Sequence, residues 1–349
     1  MYACVCMCMH THDPDPDPDP DPDPDPDPDP DPDPDPGPGP GPDSNPNQVV
    51  PGEALYDQKW LQAVRRVLDV LTTQQVSSAE DARGACGAAY TFTRNNIAGQ
   101  GPLNSLLNGV GPPAAHTGMV RSAFRPSDDA CSLSFLVPAN AMAVVELRHT
   151  ATVLREDGGA ESAELAARCD VLTAQIDDGI RRHGIVDRPE LGGRVLAYEV
   201  DGFGNANMMD DANVPSLLSL PWLGYMPVAD DVYQRTRKYI LSGRTNPWFF
   251  SGTDGEGVGS PHTGPGALWP MGLIMRALTS THDDEIRECL ATLKRSASQP
   301  GSWLMHESFN VDDASSYTRP WFAWANSLFG ALLIKLSIER PHLIGIQTT

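Results

Sequence analysis

Apolar residues recur at helical spacing over most of the chain beyond residue 56. Across 57–76, Trp60, Leu61, Val64, Leu68 and Leu71 share one face, which predicts an amphipathic helix. A second helix is predicted over 138–155, opened by Pro138 at a first-turn position where its missing N–H is not needed. A third, over 160–183, carries Leu165, Cys169, Leu172 and Ile176 as a stripe. Similar patterns at 213–222, 229–242, 267–280, 282–297 and 320–338 bring the expectation to about eight helices. Trp321 and Trp324, at helical spacing, are assigned to the core. Strand signals are sparse, and Val195 to Val200 is the best candidate.

Long loops rich in Gly, Asn, Asp, His and aromatic residues separate these helices, at 198–213, 244–266 and 299–319. Loops of this length inside a compact domain are usually functional. The predicted picture is a helical scaffold presenting polar, aromatic-lined loops at one end. Paired helices with active groups on the connecting loops fit an all-α toroid. No 20–50-residue repeat points to a solenoid.

The formal charge of −21 changes this picture little. Residues 13–35 supply twelve aspartates in strict Asp-Pro alternation and Asp43 adds another; removing those thirteen leaves −8 for the remainder. Proline fixes φ and lacks a backbone donor, and it pushes the preceding residue out of the helical region. With few apolar side chains to offset ordering entropy, residues 1–50 are expected to be an extended, solvated tail ahead of one domain at 51–349. No Lys/Arg-rich stretch offers a footprint for nucleic acid. No run approaches the roughly 18 apolar residues of a membrane span. Residues 1–9 lack the basic start of a secretory signal, so the sequence assigns no compartment. Cys86, Cys131, Cys169 and Cys289 sit among apolar neighbours and are expected in the core. The C-x-C-x-C start lacks a second ligand pair at zinc-finger spacing, and no metal or other cofactor is expected.

Four segments concentrate carboxylates and hydrogen-bond donors: FRPSDDACSLSFLVPAN from Phe124, YEVDGFGNANMMDDANVPSLLSLPWLGY from Tyr198, the stretch Asn246 to Pro270, and MHESFNVDDASSYTRPWFAW from Met305. Together they hold Asp128, Asp129, Asp201, Asp210, Asp211 and Glu307 beside Arg125, His262, His306, Trp248, Trp269 and Trp321. Glycoside hydrolysis needs a carboxylic acid to protonate the leaving oxygen and a carboxylate to activate water or attack. It also needs polar side chains to grip ring hydroxyls and aromatic rings to stack on sugar faces. The inventory fits, although a metal or phosphate site would draw on the same residue types. Ser127 or Asp129, and Asp210 or Asp211, are equally placed to cap the elements that follow them.

FRPSDDA with LVPAN, DGFGNANMMDDANVPSLLSLPWLGY, NPWFFSG with PHTG and WPM, and MHESFN with WFAWANSLFG closely resemble glycoside hydrolase family 125. The resemblance runs from about Tyr56 to Lys335. It implies an (α/α)6 barrel and an inverting exo-α-1,6-mannosidase acting on terminal mannose of oligosaccharides, in a family that includes fungal meiotically up-regulated proteins. It places the general acid at Asp128 or Asp129, with Asp128 favoured, and the general base at Glu307. Arg125, Asp201, Asp210, Asp211, Asn213 and His262 become candidates for holding the sugar, and no catalytic metal is implied.

Members of that family carry an upstream tryptophan-leucine-arginine-aspartate-serine motif that has no counterpart here. The resemblance therefore implies a barrel lacking its first helices, with activity weakened by truncation. The competing expectation is a catalytically inactive remnant that at most binds mannosides. Oligomeric state is left open by the sequence.

Overall fold

The computed structural model describes residues 57–81, 92–94, 105–297 and 303–345. The expected tail at 1–50 and Cys86 lie outside the described residues. Helix α1, Gln58–Thr73, begins where the Asp57 side chain accepts the Trp60 N–H at 2.9 Å. It buries Leu61 and Leu68 and is tied to a later helix by Arg65–Glu161 at 2.9 Å and Arg168–Asp69 at 2.6 Å.

Helices α2, Val137–Asp157, and α3, Ala160–Gly179, form an antiparallel pair. The link is short because Gly158 takes a left-handed φ of 73°, which ends α2 at little steric cost. The predicted stripe of Leu165, Cys169, Leu172 and Ile176 is buried on α3. Each such Leu or Ile contributes about 1.5–3 kcal/mol of transfer free energy. At the end of α3, Gly179 lets the chain at Thr117–Met119 approach; a Cβ there would stand 2.6 Å from the Thr117 carbonyl oxygen.

Helix α4, Asp231–Ile240, is capped by Asp230, which accepts from the N–H groups of Val232 and Tyr233. Helix α5, Pro270–Leu278, is buried over nearly its whole length and packs on α6, Asp283–Ser296, and α7, Ala323–Glu339. Arg237 and Arg276 both hold Glu285 at 2.8 Å, joining α4, α5 and α6.

The expectation of an all-α fold needs correction, because short strands pair between the helices. Strands β1 (Phe135–Leu136), β4 (Glu199–Val200) and β5 (Ala206–Asn207) form one antiparallel sheet in the order β1-β4-β5. Strands β8 (Ala267–Leu268), β9 (Ser308–Asn310) and β10 (Asp313–Thr318) form another in the order β10-β9-β8. Two hairpins complete the set: β2 (Ile185–Arg188) with β3 (Gly193–Leu196), and β6 (Phe249–Ser251) with β7 (Glu256–Val258). The expected single strand at 195–200 is divided between β3 and β4, which belong to different sheets. Long segments read as loops thus satisfy their backbone groups by local pairing.

The helix expected over 213–222 is also absent; the segment is a series of turns. Pro215 and Pro221 each remove a donor and bias the residue before them away from helix. Trp321 and Trp324 are not core residues: they are 56 % and 36 % exposed. Trp321 precedes the first turn of α7, and the buried stripe of α7 runs through Ala325, Leu332 and Leu336. Cys131, Cys169 and Cys289 are buried as expected.

Candidate active site

The turn Arg125–Asp129 closes on itself: the Arg125 N–H donates to the Asp129 carbonyl at 2.7 Å, and the Asp128 N–H to the Arg125 carbonyl at 3.0 Å. Asp128 sits at its tip with a left-handed φ of 66°, a conformation Asp tolerates better than most residues. The two carboxylates face different surroundings. Asp128 is exposed, and its carboxylate has no partner among the described residues. Asp129 is buried; Ser127 Oγ donates to its Oδ2 at 2.9 Å, and His262 Nδ1 stands 3.2 Å from its Oδ1.

Beneath the turn, the Arg125 Nε donates to Glu199 Oε1 at 2.7 Å, with both side chains buried. Burial opposes the guanidinium charge, but the hydrogen bond and charge of Glu199 outweigh it and hold the Arg125 pKa above its ordinary value. The other Glu199 oxygen accepts from the Ser132 and Leu133 N–H groups and from Asn207 Nδ2. One carboxylate on β4 thus ties the turn to the segment leading into β1 and to β5. Glu199 was not singled out from sequence, although it is the lone acid in the apolar run VLAYEV.

The remaining acids of this region are saturated by the chain itself. Asp201 accepts from the N–H groups of Phe203 and Asn205 and from the Asn205 side chain, shaping its own loop. Asp210 caps the turn after Pro215, accepting from Leu217 N–H at 2.8 Å and Leu218 N–H at 3.0 Å. Burial pushes its pKa up to about 8, against the pull of those two donors. Asp211 accepts from the Asn213 N–H and side-chain amide and from Ser260 Oγ. Burial raises its pKa too, opposed by the Asn213 bonds and the Arg125 charge. Ser260 Oγ also accepts the His262 N–H at 3.2 Å, so the buried Asp211–Asn213–Ser260 cluster fixes the base of the His262 loop.

Glu307 is buried just before β9. Its Oε1 is 3.3 Å from Arg319 Nε, while Oε2 has no partner among the described residues. Next to it, the buried His306 stacks on Tyr317 at 3.7 Å, and its Nδ1–H donates to the Arg319 carbonyl at 3.0 Å. Burial lowers the His306 pKa, against the backbone acceptors Arg319 and Pro320.

A line of rings joins the two carboxylate regions. His262 meets Trp269 edge-on at 6.3 Å, Trp269 meets Phe322 at 6.1 Å, and the Arg319 guanidinium lies 5.5 Å over the Phe322 ring. Trp269 is therefore an internal strut, held by its Nε1–H to Thr263 Oγ1 at 2.7 Å, rather than an open sugar platform. Trp248 is half-buried against Phe250. Two polar loops distant in sequence, one bearing Asp128 and Asp129 and one bearing Glu307, are thus held to one continuous layer. One of these carboxylates, Asp128, is free of partners among the described residues, and the other, Glu307, has a single open oxygen.

Residues 48–334 match the family described as metal-independent alpha-mannosidase (GH125). The chain belongs to that family. It is 48 % identical over 293 residues to the meiotically up-regulated gene 157 protein of Schizosaccharomyces pombe, a match covering 84 % of this chain and 56 % of that protein. It is also similar to a solved metal-independent alpha mannosidase of Streptococcus pneumoniae, in a non-productive complex with alpha-1,6-mannobiose. That match has 38 % identity and a TM-score of 0.73, covering 81 % of this chain and 63 % of the solved one. The chain thus spans less than two thirds of the length of each of these relatives.

Among the described residues, no three His, Cys, Asp or Glu are grouped to hold a metal ion, and no helix is long and apolar enough to cross a membrane.

Proposed function

We propose that this chain is an inverting exo-α-mannosidase that releases terminal α-1,6-linked mannose from oligosaccharides, on an (α/α)6 toroid-type scaffold. The observation that carries the reading is the similarity to a mannosidase held with α-1,6-mannobiose, combined with the placement of Asp128 and Glu307.

Asp128, exposed and unpartnered, acts as general acid. Its proton passes to the glycosidic oxygen as the bond to the anomeric carbon breaks. Asp129, both of whose oxygens are engaged, braces the turn. Glu307 Oε2 takes a proton from water as that water attacks the anomeric carbon from the opposite face. Inversion needs the two carboxyls about 6.5–9.5 Å apart so that the water fits between them. Arg125, Asp201, Asp210, Asp211 and Asn213 act by shaping the loops. His262 directs Nδ1 to Asp129 and leaves Nε2 to accept from a sugar hydroxyl.

The test is to incubate the chain with α-1,6-mannobiose and follow the first turnovers by proton NMR. β-Mannose appearing before mutarotation is the expected result. α-Mannose appearing first would overturn inversion. Equal cleavage of α-1,2- or α-1,3-mannobiose would overturn the linkage. Binding of mannobiose without release would leave a mannoside-binding chain in place of an enzyme.

A further inference from the structure

We infer that Arg319 is a positioning residue that fixes Glu307 so that only Oε2 is offered to water; the inference rests on Glu307 acting as the base. Three contacts hold Arg319. His306 anchors its carbonyl at 3.0 Å, the Phe322 ring supports its guanidinium at 5.5 Å, and its Nε forms an ion pair with Glu307 Oε1 at 3.3 Å. Its backbone takes a left-handed φ of 48°, uncommon for a long side chain and often found at functional sites when the surroundings enforce it.

A residue holding a surface charge in place has no need of this arrangement. The Arg319 side chain is 61 % exposed, whereas the Glu307 side chain is 7 % exposed. A buried carboxylate with one oxygen unpaired would swing between rotamers unless the other oxygen were pinned. The guanidinium charge beside Oε1 draws that oxygen toward Arg319 and leaves Oε2 as the oxygen turned away from it. The ring line from His262 through Trp269 and Phe322 connects the Arg319 guanidinium to the side chain that meets Asp129. Because misplacement of a catalytic group by about 1 Å costs on the order of 100-fold in rate, the orientation of Glu307 is worth a dedicated residue.

The experiment compares wild type, Arg319→Met, Arg319→Lys and Glu307→Gln in the full chain, with α-1,6-mannobiose as substrate. The expected result is a loss of roughly 100-fold in kcat for Arg319→Met with KM changed less than about threefold, and partial recovery in Arg319→Lys, which restores charge without the planar fork. Thermal melting of Arg319→Met is expected to match wild type, since the side chain is exposed. Wild-type kcat in Arg319→Met beside an inactive Glu307→Gln would overturn the inference and leave the base assignment standing. So would a loss confined to KM. Full activity in Glu307→Gln, or no turnover by the wild type, would overturn the underlying assignment instead.

Discussion

Arg125 and Glu199 form an ion pair at 2.7 Å in which both side chains are buried, and Arg125 belongs to the turn that carries Asp128 and Asp129. A buried pair of this kind is expensive to break, because removing one partner strands the other charge in a poor dielectric.

Glu199→Ala should therefore destabilise the fold by about 3–5 kcal/mol, whereas the double variant Arg125→Met, Glu199→Gln, which keeps an acceptor for the Ser132 and Leu133 N–H groups, should lose less. Urea titrations of the two variants and wild type measure this. Equal losses in the single and double variants would show that stranded charge does not set the cost.

Asp210 sets a pH dependence of stability. Its folded pKa of about 8 lies above the roughly 3.9 of an unfolded Asp. Between those values the folded chain keeps a proton that the unfolded chain has released, so stability falls as pH rises from about 4 to 8. The slope is at most about 1.4 kcal/mol per pH unit. Asp210→Asn cannot titrate and should reduce this dependence, leaving the part of the same sign that comes from the raised Asp211. Urea midpoints at pH 5 and pH 8 for both proteins test it, and parallel changes would remove Asp210 as the cause.

The two adjacent aspartates should separate by leaving group. Asp128→Asn should slow mannobiose hydrolysis about 10²–10⁴-fold, yet lose far less on a dinitrophenyl α-mannoside, whose leaving group needs no proton. Asp129→Asn should affect both substrates alike, because it loosens the brace to Ser127 and His262. The reverse pattern would make Asp129 the acid.

Millimolar EDTA should leave the rate on mannobiose unchanged, in keeping with the family's metal-independent description. A rate that falls with chelator and returns with a divalent cation would contradict this.

Several elements were legible in sequence because their signals are local. The 3.6-residue stripe of Leu165, Cys169, Leu172 and Ile176 needs only one helix face to be buried. Strands of two to six residues, such as Phe135–Leu136 and Asp313–Thr318, are too short for alternation to register. The turns after Asp211 imitate a helix in composition, and the prolines decide otherwise. The strings around Asp128 and Glu307 marked the segments that hold the proposed pair. Their supports were hidden because Arg125 pairs with a residue 74 positions away and His262 meets Asp129 across 133. Arg319 carried no motif of its own; only its juxtaposition with Glu307, His306 and Phe322 reveals it.

The ring line from His262 through Trp269 and Phe322 to Arg319 acts as a spacer of fixed thickness. Aromatic rings neither stretch nor compress appreciably, so the gap between the two carboxylate walls follows from ring dimensions rather than loop lengths. Trimming Phe322 to a smaller side chain takes out a shim, and the two walls lose their common gauge.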